Sequence, residues 1–479
     1  MLQSLRLHAL GLDVLIHIMA FLRPSDIISM RQTCKALNVA SIHRVVWLNA
    51  LEQMVEEHHI PSATFQTSSM DIATLEHLAL SPAKFAALIE NSPDEEVRPC
   101  SVRILQDHIS KEDKAKYGIT KCPGYSDVLL APGGRFLVTS EDFMKSSALR
   151  NLVRVWDLGI CGRDKTKLLA QKVLSKKHIR LRSLSLAPDG EGFYLVSEQK
   201  RPYKLFVHMI TAFDQLPRIH HLNEMEIPGL ADSLAVLGTR LAVIAHRTVL
   251  VWDFEADLSV SWDSGLGPDD IDYPSPIHLY PENVMLYRPG KLGIWKIPQL
   301  RSEKDTIHVE NRRLLTLSDL FEGTDESGDD DISFNLLQSP WSHSFCDLGF
   351  LGISGEGFRL FRIERLQAGH DAKLPGILPS LIGPSDSVDL SYLEPGASVG
   401  ALEPCDRRLM FVVENEGDVW VHRLDMLADG SKLSSMKKIQ LVLDTVDTID
   451  HVQVCFATGR LCAAVGAREL RIIDFLQAP

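Results

Sequence analysis

Apolar positions step by three and four along the first ninety residues, and then the period changes. Leu12, Leu15, Ile18, Met19 and Leu22 fall on one face of a helix. Pro24 interrupts that helix, and Ser25 is placed to cap a second one carrying Ile27, Ile28, Arg31, Cys34 and Leu37. Trp47, Leu51, Met54 and Val55 are in register for a third. Two further helices are predicted over 70–80 and 82–91, the later one with Ser81 as its cap and Pro82 in its first turn. The polar stretch 91–99, bounded by Pro93 and Pro99, reads as a linker.

Beyond residue 100 the helical spacing gives way to short runs of Val, Ile, Leu and aromatics between Gly, Pro, Asn and Asp turns, the pattern of an all-β domain. One phrase recurs there: strand, turn, strand, short polar turn, then a strand ending in an aromatic-polar-aliphatic triplet. The triplets begin at Trp156, His208, Trp252, Trp295, Phe361, His422 and Ile473, at intervals of 52, 44, 43, 66, 61 and 51 residues. The segments ahead of them agree, since Leu129-Leu-Ala-Pro-Gly-Gly-Arg-Phe-Leu-Val138 parallels Leu184-Ser-Leu-Ala-Pro-Asp-Gly-Glu-Gly-Phe-Tyr-Leu-Val196. A period of this length with a few short strands per unit predicts a β-propeller. Trp156-Asp157 and Trp252-Asp253 carry the Trp-Asp dipeptide, so this half resembles the WD-repeat propellers in eroded form, with about seven blades. Trp262-Asp263 is off register and reads as loop. The seventh unit shows three strands, and Ser101–Gln106 is apolar enough to supply the fourth, closing the ring and removing its edge.

Composition narrows the function. With 45% hydrophobic and 24% charged residues the chain is of globular type, and no run of 18 uncharged apolar residues would span a bilayer. The opening residues do not read as a signal peptide, because Arg6, His8 and Asp13 break up any apolar core. A net charge of −13 disfavours nucleic acid. Seven acids (Asp319, Glu322, Asp325, Glu326, Asp329, Asp330 and Asp331) form one cluster, and setting them aside leaves −6. That cluster, about 319–331, is expected to be a solvated loop, and the Pro/Gly/Ser-rich stretch between Ile363 and Ala397 a second insertion. The eight cysteines are scattered without a C-x-x-C pair, which fits reduced thiols in the cytoplasm or nucleus and offers no zinc site.

The first sixty residues resemble an F-box. The family's Leu-Pro-x-Glu start, Phe-Leu-x-Pro-x-Asp-Leu turn, Val-Cys-Lys-x-Trp segment and later Leu-Trp appear as Leu10-Gly-Leu-Asp13, Phe21-Leu-Arg-Pro-Ser-Asp-Ile27, Thr33-Cys-Lys35 and Val46-Trp47. Gly11 replaces the usual Pro and Leu37 stands where Trp is common. The physical argument agrees: three short helices cannot bury this much apolar surface alone, so the surplus must meet a partner chain or neighbouring helices. The resemblance implies a Skp-type adaptor and, through it, a cullin scaffold, with Leu12, Leu15, Ile18, Phe21, Leu22, Pro24, Ile27 and Cys34 facing the adaptor. Asp26 is assigned instead to the positive end of its own helix.

Catalytic patterns are absent: there is no H-E-x-x-H, no phosphate-binding G-x-x-x-x-G-K-[ST] and no G-x-S-x-G. His58-His59 and His220-His221 point in different directions on any regular element and read as surface residues. Lys176–Arg182 reads as alternating residues on an exposed strand, with a recognition rim or an import signal as the alternatives. The expected organisation is α plus all-β: F-box helices over 5–60, a helical linker over 61–99 and a propeller over 100–479. The expected role is substrate recognition in a Skp–cullin–F-box ubiquitin ligase, without enzyme chemistry or cofactor and with no membrane partner, the propeller binding an unidentified target protein. A non-degradative interaction scaffold is the alternative. Changing Leu15 and Phe21 to Asp is expected to abolish adaptor binding and leave residues 100–479 folded.

Overall fold

Pro24 separates the first two helices. α1 (Leu12–Met19) ends at Ala20, and α2 (Pro24–Arg31) starts on the proline itself, where a missing N–H costs nothing. Ser25 therefore lies inside the first turn of α2, and Arg23 is its N-cap. The chain breaks again at Gln32, so the single helix expected to run from Ser25 past Leu37 is two, α2 and α3 (Lys35–Ser41). α4 (Arg44–Glu57) carries Trp47, Leu51 and Met54 inward. The two helices expected on either side of Ser81 are one, α5 (Ile72–Asn91), with Asp71 as N-cap accepting the Thr74 N–H at 2.8 Å. Pro82 sits inside α5, and Ser81 Oγ donates to the His77 carbonyl at 2.7 Å beside it. Packing overrides the proline. The first half of α5 (Leu75, Leu78, Ala79, Leu80) shares a core with α1–α4, and the second half (Phe85, Ala86, Ile89) shares one with the β domain. α5 is long and apolar enough by composition to cross a membrane, and here those apolar positions fill two packing faces.

The computed structural model describes residues 10–93, 95–106, 111–119, 121–145, 148–175, 179–265, 277–288, 291–302, 306–307, 312–316, 333–336, 350–354, 357–365, 377–381, 398–405, 408–415, 418–426, 433–443, 448–466 and 469–479. Their strands form seven antiparallel sheets of four strands each. In chain order the blades cover 121–175, 179–226, 231–263, 277–316, 333–381, 398–441 and 449–474. First strands of successive blades lie side by side around the channel from blade 6 through 7 and 1 to blade 4. This is the β-propeller. β2 (Ser101–Gln106) is the fourth strand of blade 7, running antiparallel to Glu469–Asp474 with Ser101 opposite Asp474 and Gln106 opposite Glu469. The two ends of the β domain thus close the ring as the repeat pattern requires. Two blades gain a fifth, parallel strand: β1 (Glu96–Val97) on blade 6 and Thr306–Ile307 on blade 3.

All seven triplets fall on the third strands of the seven blades. Trp156, Trp252, Trp295 and Ile473 stand opposite Leu137, Leu241, Val284 and Leu461 of the second strands. The triplet's polar residue has a recurring partner at the start of the second strand. Arg135 binds Asp157 through Nε at 2.9 Å and Nη2 at 2.7 Å, Arg460 Nε binds Asp474 at 2.6 Å, and Arg240 lies 3.9 Å from Asp253. Trp262 departs from its expectation. It is a fully buried strand residue on Leu258–Asp263, its ring 6.5 Å from that of Trp295, because the outer strand of blade 3 packs toward blade 4. The acidic cluster at 319–331 and most of the stretch between Ile363 and Ala397 lie outside the described residues.

Candidate functional site

Two surfaces follow from this architecture. The first belongs to α1–α4. α1 is apolar on nearly every side, so seating one stripe in the core leaves a second stripe outside. Leu15 and Ile27 take the inner side, 2% and 0% exposed, whereas Leu12 and Phe21 face outward at 42% and 74%. Ile18, Leu22, Pro24 and Cys34 are half-buried between them. An edge-to-face contact with His17, centroids 5.1 Å apart, steadies the Phe21 ring. Val14, Val39, Ile42 and Val45 are also exposed, and the sequence reading did not select them. The all-round apolarity of α1 was the available signal for Val14. An Asp at Leu15 would now place a charge in the helical core, so Leu12 and Phe21 are the positions that probe the surface without unfolding it.

The apolar surplus of these helices is used twice. One continuous core runs from Leu15, Met19 and Ile27 through Trp47, Ile60 and Phe65 to Leu137, Leu158, Cys462 and Leu470 of blades 1 and 7. Arg31 of α2 binds Glu76 of α5 in bidentate fashion, at 3.0 and 2.7 Å, while its Nε donates to Ser41 Oγ at 2.9 Å. Arg44 Nη1 and Nη2 donate to the carbonyls of Met70 and Thr67. The helices therefore rest on the propeller as well as on one another, on the ring face that carries the turns between first and second strands. At Gly133, the φ of +82° and the closeness of Ile60 and Thr64, 2.8 and 3.0 Å from where a Cβ would stand, show how tightly that turn is covered.

The opposite face is the second surface. Blades are laced together there by polar side chains at the first strands: Leu181 N–H donates to Asp127 Oδ2 at 3.0 Å, Ile179 N–H to Asn151 at 2.6 Å, Ala231 N–H to Glu198 at 2.7 Å and Ile277 N–H to Ser233 at 3.2 Å. Burial pushes the Asp127 carboxyl up to about 7, against the pull of its bond from Leu181 and of Arg180 and Arg182. Burial also lowers His451, beside the Ser126 backbone and Arg180. Arg180 and Asp450 project from this rim into solvent, and Arg182 is held by the Ala231 carbonyl at 2.8 Å. The basic stretch is thus an inner strand from Ile179, alternating buried and outward; Lys176–His178 lie outside the described residues.

His58 caps the end of α4, burial holding it down to about 4, and His220 and His221 are exposed on the outer strand of blade 2. Among the described residues no group of three His, Cys, Asp or Glu is placed to hold a metal. Residues 7–49 match the F-box domain, so the chain carries an F-box ahead of its β-propeller. No curated protein matches it in sequence. Among solved structures it is similar to the β-propeller domain of Cps50 (Swd1) from Myceliophteria thermophila, at 13% identity and a TM-score of 0.44, covering 74% of this chain and 98% of that one. It is also similar to a chain of Polycomb Repressive Complex 2 from Chaetomium thermophilum, at 10% identity and 0.45, covering 79% and 98%. A third likeness is the WD40 domain of SCAP from fission yeast, at 8% and 0.36, covering 78% and 98%.

Proposed function

We propose that this chain is the substrate-recognition subunit of a Skp–cullin–F-box ubiquitin ligase. The F-box helices hold the Skp adaptor and through it the cullin, and the propeller holds a target protein on the face away from the helices. The observation that carries this reading is the single core joining α1–α4, α5 and blades 7 and 1. A target bound to a platform rigidly joined to its adaptor stays at a set distance from the ubiquitin-charged enzyme, which raises the effective concentration of its lysines there. No chemistry is asked of the chain itself.

The docking set is Leu12, Ile18, Phe21, Leu22, Pro24 and Cys34, with Leu15 and Ile27, adaptor-facing by the family pattern, in the core beneath it. Leu12 and Phe21 meet the adaptor directly, and the buried Leu15 and Ile27 fix their height from below. The test is co-purification with a Leu12→Asp, Phe21→Asp double variant. Adaptor and cullin are expected to disappear together from the purified material while the melting temperature stays within about 2 °C of wild type. Adaptor retained in full refutes the docking face. Adaptor present without cullin in the wild-type material, with no change in the lifetime of proteins bound to the propeller, favours the non-degradative scaffold. Arg180→Glu on the free rim is expected to leave adaptor and cullin in place and to release the target, read as a propeller-dependent partner lost from the same purification.

A further inference from the structure

Residues 60–106 contact blades 1, 6 and 7, the blades on either side of the ring's closure and the closing blade itself. Ile60, Thr64 and Phe65 cover the Gly133 turn of blade 1, where Arg135 Nη1 donates to the Thr64 carbonyl at 2.6 Å. Phe85 packs between Phe456 and Phe475 of blade 7, its centroid 6.2 Å from each. Glu90 lies 3.5 Å from Arg423 of blade 6, and Lys437 of the same blade donates to the Glu90 and Ser92 carbonyls. β1 then extends the outer edge of blade 6, and Cys100 N–H donates to the Asp474 carbonyl at 2.8 Å as β2 completes blade 7. At its other end the same segment is fastened to α2 by the Arg31–Glu76 pair. Among the described residues, the cores within blades 2, 3 and 4 contain none from the helices.

We propose that this segment is a strap that couples the F-box helices to closure of the ring. Loosening the helices loosens blade 7, where the two ends of the β domain meet, and leaves blade 3 as it was. The closing blade is the one place where a propeller can open without breaking a continuous hairpin, because its outer strand comes from the far end of the domain. Here that strand follows directly on a segment clamped by the F-box. Coupling of this kind is reciprocal, so whatever rigidifies the α1–α4 surface also tightens blade 7. The inference stands on internal contacts and does not depend on which partner docks.

Hydrogen exchange on the full chain, read by peptide, tests it. Glu76→Ala removes the anchor to α2 at a half-exposed site and keeps the chain folded, and Phe65→Ala loosens the strap over blade 1. Both are expected to speed exchange of the amides in 101–106 and 449–474 about tenfold while 231–263 keeps its wild-type rate. Val243→Ala, in the blade 3 core, is expected to do the opposite. Unchanged exchange at 101–106 in both strap variants, or an equal rise in every blade, overturns the proposal. So does a Val243→Ala protein whose β2 amides quicken as much as those of blade 3.

Discussion

At the residue level the repeat is held by volume more than by identity. The first triplet position is Trp in three blades, His in two, Phe in one and Ile in one, and the described side chains there are buried or nearly so. A buried indole, imidazole or branched chain can each fill this core-facing position, so the motif erodes while the strand survives. Histidine at that position has a consequence. Burial holds His208 and His422 down to about 3, next to Lys172 and Lys438 respectively, and each stays neutral in the folded chain. Unfolded, both protonate below about 6.5, so stability is complete above that pH and falls progressively as pH drops toward 3. A thermal melt series is expected to show His208→Phe losing less between about pH 7 and pH 5 than wild type. Asp127 runs the other way. Its folded value is raised from the ordinary 3.8 to about 7, so the stability its neutral form contributes is complete below about 3.8, falls as pH rises, and is fully lost above about 7. Asp127→Asn keeps an acceptor for the Leu181 N–H and is expected to raise the melting temperature most at about pH 8, less at about pH 5 and hardly at all below about pH 4. An equal gain at all three pH values would place the effect elsewhere.

Among the elements, α5 departs most from its local sequence. Ser81-Pro82 is a start signal by every local rule, yet the helix runs through it, because Leu75 and Leu78 on one side and Phe85 and Ile89 on the other are each buried against a different body. Burial of apolar side chains on both sides of the proline, several kcal/mol in all, outweighs the roughly 3 kcal/mol that an interior proline costs. Phe85→Ala is expected to cost about 3–5 kcal/mol in urea unfolding, since it opens a hole between Phe456 and Phe475. A loss under 1 kcal/mol would mean that α5 is seated only by its first half. The break between α2 and α3 was equally hard to read, because Ile27, Ile28, Cys34 and Leu37 keep helical spacing across it. The recurring Arg at the start of the second strands, paired with the triplet Asp, was present in the sequence as Gly134-Arg135 and Gly459-Arg460 and could have sharpened the repeat.

Over the whole molecule, the F-box and the propeller are one body, and this revises the expectation that residues 100–479 fold independently. Without α5 and the Ile60–Phe65 segment, Phe456, Phe475 and Leu137 would lose part of their cover. The isolated 100–479 fragment is expected to bind a hydrophobic dye and to melt well below the full chain. A fragment that melts with the full chain and stays monomeric would show the helices to be a passive attachment.

Periodicity alone determined the two kinds of structure, their order, the seven repeats and the strand that closes the ring, because each depends on spacing between near neighbours or on a count along the chain. The F-box was legible for the same reason, as fixed residues at fixed intervals. What only the tertiary structure decided is which apolar residues are spent inside and which remain on offer. Leu15 and Leu12 look alike in a helical register, but α1 turns one of them toward α3 and α4 and leaves the other in water. Burial of that kind depends on which helix faces the tertiary packing brings together, and no pattern within one helix carries it.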